Sequence, residues 1–583
     1  MIIGNMRQIY IIAFLLLPFY GISQLHIQPR GSEPAFIYSE GELLFVQKNI
    51  HTKANPGGIA SIYLRKEAQL LQGSQNMPNT GDGKLSVFQE GTASAYSYNY
   101  WASPVQSISP HPSFGEILYE PLTTLESQKA IITTGLDGQA QPLTISSRWV
   151  YTLDGSNYGD WQFAGNTFDI QPGEGFTMKG VNGKNLNVSL YGVPNNPGNA
   201  QRYDFRGRPN SGLFPLQIKK DEIKLVGNPY PSALDLNAFL TDNTNITGIA
   251  YFWDSKEVNS HYLQDYQGGY GAYSPAAGNN GYVPAVFYSY DQAGNPLQET
   301  GATGGNYARR FSPIGQGFIV EGAQNGAFFF RNEYRVFQKE APRVSQFKTT
   351  ANNNEPEHTT SIIRFNVKFP SYTRQLLLAL REDSTPGFDL AMDARNLTPL
   401  VTDAGWWLQD EAFLIDVRPH QEAAEIPILL DIADSSMVSV EISEKENFRL
   451  PLFLLDKEMQ VYHDLQAGAA VLFPEQGTHL ERFFITFNAG EAAGEELPPV
   501  GPNLVNIFQN NREKRLEIRI EPQFTAERIR LFDISGKRIF EIQGEKGTTT
   551  YELRTDNLVK GVYIVKIKSI DDTVISKKVI ISN

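Results

Sequence analysis

Cysteine is absent from all 583 residues. Without thiols there are no disulfide staples, no thiolate nucleophile, no cysteine metal site and no lipobox, so each folding unit must stand on burial alone. Histidine is scarce: the eight residues at 26, 51, 111, 261, 358, 420, 463 and 479 form no His-Glu-x-x-His and no pair at metal-ligand spacing, which disfavours a zinc protease. Gly-x-Ser-x-Gly and Gly-x4-Gly-Lys-Ser/Thr are missing too, which removes the commonest hydrolase and nucleotide signatures. Catalytic sites that assemble only in the fold leave no such trace, so an exported hydrolase stays open. Positive charge is the minority sign: the net charge is -13, the pI is near 5.3 and no basic cluster stands out, the wrong balance for a partner with a phosphate backbone. Long apolar runs are lacking as well. The clearest, "IYIIAFLLLPFY", has 12 residues, short of the about 20 needed to cross a bilayer as a helix.

That run follows Arg7, contains Pro18 and is succeeded by Gly21 and Ser23, small residues at the positions read before cleavage ahead of Gln24. This is the order of a secretory signal peptide, expected over 1–23.

What is abundant is turn punctuation and aromatic side chains: 50 Gly, 34 Pro and 12% Phe, Trp and Tyr between short apolar runs. The expectation is an all-β, multidomain chain, with a soft prior of about four domains from length alone. Residues 24–91 ("ELLFVQ", "IASIYLR", "KLSVFQEG") read as a laddered β region.

A duplication follows, visible in the order of its punctuation. The first copy, expected over 92–215, runs "NYWASPV", "RWVY", "IQPGEGFTMKGVNGKNLNVSLYG"; the second, over 216–344, runs "VGNPYPSALD", "YFWD", "FSPIGQGFIVEGAQNGAFFFRN". Pro172 and Pro313 set extended entries, and Gly173 and Gly175, or Gly315 and Gly317, permit backbone forbidden to other residues before strands at Phe176 and Phe318. Asn182–Gly183 and Asn325–Gly326 then predict a closing hairpin in each copy. A dinucleotide cradle fails, because the third glycine is misplaced and a strand, not a helix, follows. The one clear helix start is Ser232, with Asp235 as capping-box partner ahead of "LNAFL".

Residues 345–360 are polar, Asn-rich and unperiodic, a linker. Over 361–488, "IIRFNVKF", "QLLLALRE", "FLIDVR", "IPILLDI", "MVSVEIS", "LPLFLLD" and "RFFITFN" predict a β-sandwich. Residues 489–503 form a Glu/Pro-rich second linker, and 504–583 a small C-terminal antiparallel β-sandwich. In that last unit Asp533 is placed to cap a turn closed by Gly536, and Ile529 and Leu531 share one strand face.

"IRLFDISGKRI", "TYELRTDNLVKGVYIVKI" and "SKKVII" resemble the type A C-terminal sorting domain of the type IX secretion system, found in Gram-negative bacteria. The resemblance covers about the last 80 residues, and the family's Asp-x-x-Gly-Lys, Gly-Val-Tyr and Lys-Val positions fall on Asp533, Gly536, Lys537, Gly561, Val562, Tyr563, Lys578 and Val579. It implies a cargo protein read by the outer-membrane translocon, cut in the 489–503 linker, and released or attached to surface lipopolysaccharide. "NYWASPV", "GNPYPSALD", "YFWD", "GQGF" and "GFDLAMDARNL" are similar to modules of surface proteins that carry this domain, mostly of unassigned activity.

Candidate chemistry is thin. Asp154, Asn157 and Asp160 share a turn-rich loop, and Asp389 and Asp393 another; both read as Asx turns rather than calcium loops, since the Asp-x-Asp-x-Asp/Asn-Gly order is missing. The tyrosines of 261–290 read as cross-strand filling in an irregular sheet, with a rigid aromatic binding surface as the alternative. No catalytic, cofactor-binding or metal residue is assigned. The expectation is a secreted, non-enzymatic, adhesin-like or structural surface protein with a glycan or protein ligand and no nucleic-acid partner.

Overall fold

The computed structural model describes residues 25–74, 77–183, 189–190, 193–194, 201–292, 296–341, 360–489, 505–510, 514–521, 524–533, 537–570 and 574–581. The expected leader, all but one residue of each expected linker, and Gly536 lie outside the described residues. Strands dominate, and Leu236–Asp242 is the one α-helix among the described residues.

The first region winds as a parallel solenoid. Leu25–Ile27, Ile50–Thr52 and Thr80–Gly81 stack in one ladder, Ile37–Glu40, Ile62–Arg65 and Leu85–Gly91 in a second, and Leu43–Val46 and Gln69–Gln72 in a third. Leu25 lies beside Ile50 and Ile37 beside Ile62, so one coil takes 25 residues. Ile50, Ile62, Leu64, Leu70, Leu85 and Val87 fill its interior. Leu85–Gly91 then pairs antiparallel with Gln201–Pro209, which ties the solenoid to the first duplicated copy.

Both copies pair the same two segments in the same register. Tyr98–Ala102 lies against Gly175–Lys179 with Ala102 opposite Gly175, and Ile223–Gly227 lies against Gly317–Glu321 with Gly227 opposite Gly317. The copies also grip each other reciprocally. Trp101 bridges Gln316 while Val226 bridges Glu174, and the Ala102 N–H donates to Gly315 O (2.8 Å) while the Gly227 N–H donates to Gly173 O (3.1 Å). Each contact has its mirror with the roles exchanged, the signature of a two-fold interface. The turn glycines make the approach possible: Gly173 and Gly315 have φ of +88° and +72°, and a Cβ on Gly175 or Gly317 would fall 2.6 Å from Leu225 Cγ or 2.7 Å from the Tyr100 carbonyl carbon.

Two local expectations need correction here. No hairpin closes the second copy, because Gly317–Glu321 already has Ile223–Gly227 on one edge and Tyr251 of Ala250–Ser255 on the other. Gly326–Phe330 therefore crosses to Phe214–Ile218, and the Asn325 side chain braces the turn by accepting the Lys220 N–H (2.8 Å). After Asn182–Gly183 in the first copy the chain leaves the described residues. The helix cap is Asp235 rather than Ser232: Ala233–Asp235 is a paired strand, and Asp235 Oδ1 accepts the N–H groups of Asn237 and Ala238.

All seven strands expected over 361–488 are present, in one continuous eleven-stranded sheet that curls into a near-barrel around a single core. Inside it, Arg374 (2% exposed) forks onto Asp403 (3% exposed) at 2.8 and 2.9 Å, and Asp403 also accepts from Asn396, Leu400 and Ala404. The near-barrel packs onto the second copy, sharing a core with Ile223, Leu225 and Ile319 and pairing Arg395 with Glu321.

The C-terminal unit is a small sandwich of a three-stranded and a four-stranded antiparallel sheet. Leu516, Ile518, Ile529, Leu531, Val565, Ile567 and Ile581 form its own core. Its sheet meets the near-barrel through Arg530 with Glu475 (3.0 Å) and Lys566 Nζ donating to Phe473 O (3.2 Å).

Candidate functional site

Apart from Gly536, the residues carried over from the sorting-domain resemblance gather at one end of the four-stranded sheet. Asp533, Tyr563 and Val579 form a cross-strand row, since Asp533 pairs with Tyr563 and Tyr563 with Val579. Asp533 Oδ1 accepts the Lys537 N–H at 3.0 Å, as expected of a turn cap. Tyr563 is buried and donates to Val559 O (2.7 Å). Gly561 pairs with Ile581, Val562 with Ile580 and Ile564 with Lys578. Deleting the last strand would thus strip one side from this row.

The candidate ligand site lies elsewhere, on the open face of the first copy. Alternation along Tyr98–Ala102 sends Trp101 into the core with Phe176 and Met178, and leaves Tyr98 and Tyr100 on the other face beside Lys179 and Thr177. Trp149 arrives from the 3-10 turn Ser147–Trp149, Tyr151 and Trp161 from the strands that follow, Trp253 from Ala250–Ser255, and Tyr266 and Tyr290 from the tyrosine-rich stretch. Together they wall a cleft of about 240 Å³. Of the tyrosines in 261–290, Tyr266, Tyr270, Tyr273, Tyr282, Tyr288 and Tyr290 are all buried, and Tyr266 and Tyr290 also border the cleft.

Behind the cleft wall runs a polar chain that the sequence did not reveal. Lys179 Nζ donates to Tyr266 Oη (2.6 Å) and His261 Nδ1 (3.0 Å), and His261 Nε2 donates to Asp137 Oδ1 (2.9 Å). Asp137 fixes the imidazole tautomer, leaving Nδ1 as acceptor. The His261 ring stacks on Trp149 at 4.9 Å, and the Lys179 amine sits 3.7 Å from the centre of Trp149, with Tyr98 and Tyr266 at 4.8 and 5.2 Å. Burial pushes the Lys179 ammonium down to about 7, against the opposing pull of Asp137. The three residues are far apart in sequence, so no spacing could have flagged them.

The two oxygen-rich loops are occupied by their own turns. Asp160 accepts the N–H groups of Ser156 (2.7 Å) and Asn157 (3.0 Å), Asn157 accepts that of Gly159 (2.9 Å), and Asp154 pairs with Lys224. Asp393 accepts the N–H groups of Asp389 and Val417, both at 2.7 Å, and burial together with nearby Asp416 pushes its carboxyl up to about 8. Among the described residues no group of three or more His, Asp or Glu is arranged to hold a metal ion.

Comparison with known families follows the same division of the chain. Residues 22–487, solenoid through near-barrel, match a family described as Domain of unknown function (DUF8693). The chain belongs to this family. In this member, residues 506–582 match the Secretion system C-terminal sorting domain. The chain is a type IX secretion cargo protein, destined for the cell surface or extracellular space.

No curated protein matches it. Among solved structures it is similar to the central fibronectin-III array of RIM-binding protein, at 10% identity over 39% of this chain and 94% of that one, TM-score 0.11. It is also similar to Tp47, the 47-kilodalton lipoprotein of Treponema pallidum (7%, 60% and 90%, TM-score 0.11). A third likeness is to the BSP domain of a biofilm associated protein (7%, 85% and 96%, TM-score 0.12).

Proposed function

We propose that this cargo is a non-enzymatic, adhesin-like surface protein that binds a ligand in the aromatic cleft of its first duplicated copy. On this reading residues 1–23 are a cleaved leader and residues 489–503 hold the processing site. Residues 24–91, 92–215, 216–344 and 361–488 are the successive units of the body, joined through the 345–360 linker. Asp533, Gly536, Lys537, Gly561, Val562, Tyr563, Lys578 and Val579 are the signal read by the translocon, and release or attachment to surface lipopolysaccharide would follow processing.

One observation carries the reading: a cleft walled by three Trp and five Tyr, with no acidic residue in its lining. Rigid rings with small polar neighbours supply contact area at low entropic cost, which suits recognition. The Lys179–His261–Asp137 chain is the feature that favours a hydrolase instead. Lys179 is 3% exposed and its amine lies against Tyr98, Trp149 and Tyr266, which supports a positioning role for it rather than attack on a substrate.

Two experiments test this. Deleting residues 558–583 should strand the protein in the periplasm, and normal surface display of that deletion contradicts the export signal. The processed chain, probed on arrays of glycans and extracellular proteins, should be retained without generating new reducing ends or new amino termini. Turnover of any retained ligand overturns the non-enzymatic reading, and no retention on any feature overturns the binding one.

A further inference from the structure

The registers of the two copies place Tyr98, Tyr100, Thr177 and Lys179 where the second copy has Ile223, Leu225, Ile319 and Glu321. In the second copy that face is closed. Its aliphatic residues share a core with Phe365 and Trp406 of the near-barrel, and Glu321 is anchored by Arg395. In the first copy the equivalent face is aromatic and bounds a cleft. One protein surface has been used twice, once for a fixed domain contact and once for an open pocket.

The chemistry of the pocket restricts what fits it. No Asp, Glu, Lys or Arg belongs to its lining, so a charged ligand would lose its hydration with no countercharge to replace it. An ammonium ligand would meet Lys179, whose amine already lies over Trp149. The hydroxyls of the wall are largely committed: Thr177 Oγ1 donates to Trp149 O and accepts the Tyr151 N–H, Tyr290 donates to Gly268 O, and Tyr100 bonds Tyr270. Trp253 is the exception: its indole N–H has no partner among the described residues, and since the nitrogen is shielded from solvent a ligand oxygen must displace what covers it to accept from it. The cleft, about 240 Å³, is smaller than the roughly 300–1,000 Å³ of pockets that hold drug-sized ligands. A ligand here is therefore small, neutral, flat-faced and able to accept one hydrogen bond.

We propose that the cleft holds one ring of a neutral saccharide, its C–H face against the half-buried Trp161 and an oxygen accepting the Trp253 N–H. The polarised C–H groups of such a face are attracted to the negative face of an aromatic ring. This rests on the binding reading above and adds the ligand class. The test is calorimetric titration of the processed chain with cellobiose, maltose, lactose and chitobiose, and with glucuronate and choline as charged probes. At least one neutral disaccharide should bind, Trp161→Ala should weaken it about tenfold or more, and Trp253→Phe, which keeps the ring and removes the N–H, should weaken it severalfold. Unchanged melting temperature in the Phe variant separates lost binding from lost folding. Preference for glucuronate or choline, or neutral binding indifferent to both substitutions, overturns the proposal. If no disaccharide binds while the arrays still retain the protein, the ligand class is wrong and the binding reading survives; if neither binds, both fall.

Discussion

Replacing Lys179 by Met should change how stability depends on pH more than it changes the fold. Lys179 is 3% exposed, and burial lowers its ammonium from 10.5 to about 7. In the unfolded chain the amine keeps its proton to above pH 10. Between pH 7 and 10 the unfolded state therefore binds more protons than the folded one, and stability must rise with pH across that window. Each decade is worth about 1.4 kcal/mol, so the three decades between pH 7 and 10 correspond to about 4 kcal/mol. Cation–π contact with Trp149 at 3.7 Å and with Tyr98 and Tyr266 behind it offsets part of this, which leaves about 2 kcal/mol. Methionine has nearly the same length and no charge to desolvate, while His261 keeps Asp137 and Tyr266 keeps Tyr96 O as partners. Thermal unfolding followed by tryptophan fluorescence at pH 7, 8, 9 and 10 should show the wild-type midpoint climbing by a few degrees relative to the variant. Parallel curves would mean that the buried amine stays charged and that the ring contacts, not desolvation, dominate its environment.

Three further outcomes are expected. Gly175→Ala and Gly317→Ala should each cost about 1–3 kcal/mol through overpacking, and by similar amounts, because the added methyl meets equivalent neighbours, Leu225 and Tyr100, across the two-fold contact; a neutral effect at either position in urea unfolding refutes the reciprocal packing. Asp403→Asn should destabilise the near-barrel by about 3–5 kcal/mol, since it strands the buried Arg374 charge, and a midpoint within error of wild type counts against that pair. Millimolar calcium should leave the melting temperature within about 1 °C of the calcium-free value, because the oxygens of Asn157 and Asp160 already accept turn N–H groups; a rise of several degrees shows a metal site.

Legibility in the sequence tracked how local the physics was. The seven near-barrel strands announce themselves because each is a short apolar run bounded by turn residues, and the Asp533–Lys537 turn because its cap lies within five residues of chain. The parallel solenoid was visible only as ladders of unknown partner, since its pairing joins residues 23 to 29 apart with no intervening signature. The Asn325–Gly326 signal misled for a related reason: a two-residue turn makes a hairpin only if the incoming strand has a free edge, and Gly317–Glu321 has none. The cleft was half legible. Its tyrosines stand out as a cluster in 261–290, but which of them border the cleft is decided by alternation and by what packs behind, and that is set by strands from 98 to 179. The duplication gives the deepest case. Matching punctuation found the two copies because the glycines and prolines that shape their shared interface must stay, whereas the face that differs in use, Tyr98, Tyr100 and Lys179 against Ile223, Leu225 and Glu321, carries no backbone constraint at all. On the proposed reading, use diverged where the turn chemistry was silent, so the residues that reveal common architecture are those that say least about the use of either face.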